Sequence, residues 1–78
     1  MQPVDFHTSL AMKFVPGQVI KFRYRNWRGV VSERTARVAN LVYGSTEWHP
    51  QPQWLVQAFD MEQGAERLFA LRDMVPIE

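Results

Sequence analysis

Arg67 heads the residues able to do chemistry. It sits in "AERLFAL" with Phe69 and Leu71 at two-residue spacing. In a strand it therefore shares their face and lies beside the core. A guanidinium placed there needs acceptors, because an unpaired buried charge costs about 3–5 kcal/mol. Two kinds of partner fit. One is an internal carboxylate, Asp60 or Asp73. The other is a phosphate, which the planar fork grips through two parallel bonds.

A second group lies in "VIKFRYRN" and the residues after it. Lys21, Arg23 and Arg25 alternate along one face, with Trp27 and Arg28 at the end. Cations interleaved with rings suit single-stranded nucleic acid, where each stacked base contributes about 1–3 kcal/mol. The same pattern suits a solvated strand face with a tryptophan folded over its end. Trp48, His49 and Pro50 in the long loop either cap a ligand pocket or cover the mouth of the domain.

Other chemistries find no support. The chain has no cysteine, which removes disulfides, zinc–thiolate sites and thiol nucleophiles. His7 and His49 have no partner at metal-ligand spacing. Ser32 has no histidine near it in sequence, and no glycine-rich phosphate loop opens a helix. Asp60 and Glu62 flank a hairpin and read as turn residues. No catalysis, cofactor or metal is expected.

Seventy-eight residues suffice for one domain, and 46% hydrophobic content with ten aromatic rings (five Phe, three Trp, two Tyr) makes it globular. Net charge is +1 but unevenly placed. Lys13, Lys21, Arg23, Arg25, Arg28, Arg34 and Arg37 face one acid, Glu33, between residues 13 and 37. Beyond residue 37, Arg67 and Arg72 stand against Glu47, Asp60, Glu62, Glu66, Asp73 and Glu78. The asymmetry suits an anionic partner for the first half, or neutralisation between neighbouring strands. The near-zero total argues against avid nonspecific binding to nucleic acid. Lack of cysteine, of a signal-peptide pattern and of a long apolar run leads to the expectation of a cytoplasmic setting without a membrane.

The elements that must position these residues are strands. Residues 1–18 show no period and read as an irregular lead. "VIKFRYRN" places Ile20, Phe22 and Tyr24 on one face and cations on the other. "NWRG" turns at Gly29. A strand over 30–38 follows, then an irregular continuation through Tyr43. Its helix alternative, "SERTARVANLVYG", opens with Ser and stops before Gly44. Pro50 and Pro52 make 44–53 a loop. "WLVQAFD" is a strand with apolar groups on both faces, and Gly64 turns it into "AERLFAL". "LRDM" suits one helical turn and "VPIE" a last edge strand. Four to five strongly twisted antiparallel strands of this length close most economically into a small SH3- or Sm-like barrel.

The order of features over roughly residues 19–75 resembles the WYL domain family. Tyr24, Gly29, Arg34, Trp54, Ala58, Phe59, Asp60, Gly64, Arg67, Phe69 and Leu71 match in order and spacing. Leu55 and Val56 stand where the family carries Tyr and Leu, and Asp73 where it carries a second arginine. The resemblance implies an Sm/SH3-like barrel over 19–78 of bacterial or phage type, without the helix-turn-helix that often accompanies it. It also implies a regulatory module binding nucleic acid or a nucleotide-like ligand. Carried onto this chain, the candidate residues are Tyr24, Ser32, Arg34 and Arg67, joined by Arg25 and Trp27 from the basic–aromatic stripe. The alternative is a structural or protein-interaction barrel. Its edge strands would contact a second copy or another protein, with the arginines only in internal ion pairs.

Overall fold

The computed structural model describes residues 14–77. The irregular lead expected over 1–18 falls outside that range up to residue 13, as does His7. From residue 14 the chain turns at Gly17, whose φ of 89° suits a residue without a side chain. It then enters the first strand.

Five strands form one antiparallel sheet. They are β1 (Val19–Arg25), β2 (Val31–Gly44), β3 (Gln53–Asp60), β4 (Ala65–Ala70) and β5 (Met74–Pro76). The order across the sheet is β4-β3-β2-β1-β5. A single 3-10 turn, Leu71–Asp73, carries the chain from one outer strand to the other. No β4–β5 ladder joins the two outer strands among the described residues.

Alternation decides the faces. Phe22 and Tyr24 of β1 are buried while Lys21, Arg23 and Arg25 are exposed. Ala36 and Val38 of β2, Val56 and Ala58 of β3, and Phe69 of β4 fill the same side. Phe22 and Tyr24 each meet the Phe69 ring edge-on at 5.0 Å, although β2 and β3 lie between their strands. The sheet is therefore curled around its aromatic core. Such edge-to-face contacts add about 0.5–1.5 kcal/mol each beyond area burial.

Two expectations change. β2 does not stop at Val38; it continues as a strand to Gly44. A bulge between Val38 and Asn40 absorbs one residue. That bulge flips the inside–outside sequence and places Leu41 against the core. The second concerns β3. Leu55, on the face away from the core cluster, is buried, but Phe59 on that same face is exposed. Cover on both sides is thus local to one end of the strand.

Candidate functional site

Asp60 closes β3 and is completely buried. Its Oδ1 accepts the backbone N–H groups of Glu62 and Gln63 at 3.0 and 3.1 Å, organising the 61–64 turn. Gly64 ends that turn with φ 66°. The other oxygen, Oδ2, accepts a bond from Nη1 of Arg34 at 3.1 Å. Nε of Arg67 lies 3.8 Å from the same oxygen, an ion-pair distance beyond hydrogen-bonding range. Nε of Arg34 donates to Oγ of Ser32 at 3.0 Å, which holds the guanidinium plane.

Register produces this cluster. Ala36 stands opposite Asp60, so Arg34 lies just past the end of β3 on the same face. Ala58 pairs with Arg67, placing that side chain on the core face two register positions from Asp60. The sequence expectation of a side chain beside the core fits the placement. Yet Arg67 remains 46% exposed, whereas Arg34 is 19% exposed. Of the two carboxylates considered for Arg67, the near one is Asp60. Asp73 instead binds Nη2 of Arg25 at 3.2 Å.

Tyr24 forms the floor. Its hydroxyl accepts the N–H of Ala70 at 2.9 Å and lies 3.4 Å from Nε2 of His49. Burial, first among the causes, pushes this hydroxyl's pKa above the usual tyrosine value. The long loop arrives over it as a tight unit. Thr46 and His49 exchange backbone hydrogen bonds, and Oγ1 of Thr46 accepts the N–H groups of Trp48 and His49.

That loop brings Trp48 onto Trp27. The indoles stack with centroids 4.8 Å apart and planes 13° from parallel. The Arg28 guanidinium sits 4.9 Å from the Trp27 ring centroid. Both indoles stay half exposed, at 54% and 53%. Asn26, not singled out in the sequence, sets this up. Its side-chain oxygen accepts the N–H groups of Arg28 and Val30, and so fixes the turn that carries Trp27.

The result is an open depression of about 880 Å³ whose wall includes Tyr24, Trp27, Arg34, Trp48, His49 and Arg67. Four of the six candidate residues therefore share one hollow, and Ser32 supports it through Arg34. Arg25 does not. It projects from the opposite face of β1, is 64% exposed and is bound to Asp73. Glu47 and Glu66 also reach the wall. Glu66 accepts a bond from the Gln57 amide on the outer side.

The charge balance at the centre is plain. Two guanidiniums converge on one carboxylate, and that carboxylate has already spent an oxygen on the turn. The exposed glutamates are screened by water more than the buried group is. The arrangement can receive an anion beside a flat aromatic surface. Among the described residues no cluster of His, Asp or Glu suits a metal ion. No described helix is long and apolar enough to cross a membrane. No family model matches the chain, and no curated protein or solved structure matches it.

Proposed function

We propose that this chain is a non-catalytic regulatory binding module of WYL type, with an SH3/Sm-like barrel architecture and a cytoplasmic role. Its ligand is anionic, a nucleotide or single-stranded nucleic acid. The barrel reading draws support from the sheet order and from the 3-10 turn that links the two outer strands. The Tyr24–Ala70 bond spans the same gap. The convergence of Arg34 and Arg67 on the single carboxylate of Asp60 carries the ligand reading.

In this reading a phosphate docks on the outward edges of Arg34 and Arg67, where guanidinium geometry allows paired bonds. Ser32 fixes the Arg34 fork. Tyr24 lines the floor, and the Trp27–Trp48 stack offers a surface for a base. Arg25 and the other cations on the reverse of β1 contribute only a long-range field.

The test is a salt-titrated binding assay with short single-stranded DNA, short single-stranded RNA and free nucleotides. Affinity for the strands falls as salt rises, with a slope of about −0.7 per neutralised phosphate. Arg67→Gln weakens binding and lowers that slope, while Arg25→Gln changes little. Absence of binding at low salt, or equal losses from Arg25→Gln and Arg67→Gln, contradicts the proposal.

A further inference from the structure

Outer strands of a sheet carry backbone groups that no neighbour satisfies, and proteins usually block them. The two outer strands here differ. Ile77 donates its N–H to the Lys21 carbonyl at 3.0 Å, so Ile77 and Val75 face β1 while Met74 and Pro76 face away. Proline has no N–H, and the Met74 N–H is taken by the Leu71 carbonyl. Among the described residues, the free side of β5 thus has acceptors and no available donor.

β4 is open. Met61 donates to the Thr35 carbonyl, which turns the odd-numbered residues of β3 toward β2 and the even-numbered ones toward β4. By register, the backbones of Ala65, Arg67 and Phe69 pair with β3, and those of Glu66, Leu68 and Ala70 face outward. Tyr24 takes the Ala70 N–H. Among the described residues, Glu66 and Leu68 are left with outward donors and acceptors.

We propose that this edge, residues 66–68, receives an extended peptide as an added antiparallel strand, with an acidic side chain facing Arg67. Backbone bonds supply attraction and alternate side chains supply selectivity. Arg67 is half exposed and only loosely held by a carboxylate that Arg34 engages more closely. An acid across from it completes the pair. On the reverse face the partner places a cation opposite Glu66 and an apolar residue opposite Leu68, which is exposed.

A second copy of this chain fits poorly. Pairing 66 with 68 of the other copy sets Arg67 against Arg67, and pairing 66 with 66 sets glutamates together; like charges directly opposite destabilise a sheet. Pairing 68 with 68 needs the Ala70 N–H, which Tyr24 occupies. The charge pattern therefore favours a segment of another protein, whose acid and the anion of the nucleotide reading would compete for Arg67.

The experiment titrates the full chain with the blocked peptide Ser-Thr-Val-Glu-Lys-Thr-Ser, followed by amide NMR. Binding shifts the Glu66 and Leu68 amides and slows their exchange. A peptide with Lys for Glu binds about fivefold more weakly, the scale of a cross-strand charge pair. Arg67→Glu reverses that preference. Leu68→Pro removes an outward donor at an edge position that tolerates proline. It abolishes peptide binding while the amide spectrum stays dispersed and anion binding at Arg34 and Arg67 persists. No binding at millimolar peptide, binding that survives Leu68→Pro, or self-association through β4 in sedimentation overturns the proposal.

Discussion

Arg34 and Arg67 reach the same oxygen, Oδ2 of buried Asp60, from strands that flank β3 on opposite sides. Arg34 bonds to it at 3.1 Å; Arg67 stops at 3.8 Å. One carboxylate cannot neutralise two guanidiniums, and the looser one lines the hollow. Architecture and candidate function meet at this oxygen.

Asp60 should be the least replaceable residue of the cluster. Asp60→Ala strips the acceptor from two turn amides and leaves Arg34 without its counter-charge. Breaking a buried pair in this way costs about 3–5 kcal/mol. A chain of this size has a total stability of about 4–12 kcal/mol. Denaturant melts should show a large share of that stability gone, and a change below about 1 kcal/mol would count against the role given to Asp60.

Arg67 should behave oppositely. It is half exposed and makes no hydrogen bond to Asp60, so Arg67→Gln should change stability by less than about 1 kcal/mol. Paired melts of Arg67→Gln and Asp60→Ala separate an anchor from a binding residue. Arg34→Gln should fall between, because its loss leaves the buried carboxylate with Arg67 alone.

Tyr24 links the core, the cap loop and the β4 edge through one hydroxyl. Tyr24→Phe leaves the buried Ala70 N–H without an acceptor, at a cost of about 1–3 kcal/mol. Burial, the leading cause, raises the folded-state pKa of this hydroxyl. Above about pH 10 the unfolded chain releases the proton while the folded chain keeps it. The Tyr24 contribution is thus fully present below that pH and is lost as pH rises through the folded value. Urea melts across alkaline pH should show the fall, and Tyr24→Phe should make it shallower.

Much of this was legible in the sequence. Period-two alternation in "VIKFRYRN" fixed which side of β1 faces the core, and the glycines at 29 and 64 marked both tight hairpins. The one-turn helix at "LRDM" and the last short strand also followed from pattern. Asp60 was read as a turn residue and as one of two carboxylates open to Arg67, but not as the partner of Arg34. That reading captured Oδ1 and the approach of Arg67 and missed the Arg34 bond to Oδ2, because a partner 26 residues away leaves no local signature. The β2 bulge was hidden for a similar reason: an extra residue resembles the end of a strand. The stack of Trp48 on Trp27 depends on a loop closing over a turn, which spacing alone does not encode.

That stack makes its own prediction. Trp48→Ala removes an exposed ring pair and should cost no more than about 0.5–1.5 kcal/mol of stability. Near-ultraviolet circular dichroism should lose the signal of coupled indoles. Nucleotide affinity should drop about tenfold, the scale of one lost base stack, while affinity for inorganic phosphate stays unchanged.

The most direct measurement follows the arginine side-chain Nε–H resonances while a nucleoside monophosphate is titrated into the full chain. Arg34 and Arg67 should shift together and saturate at one ligand per chain, with Arg25 unmoved. Shifts confined to Arg23 and Arg25, or no shift at Arg34 and Arg67 at millimolar nucleotide, would contradict an anion site built on Asp60.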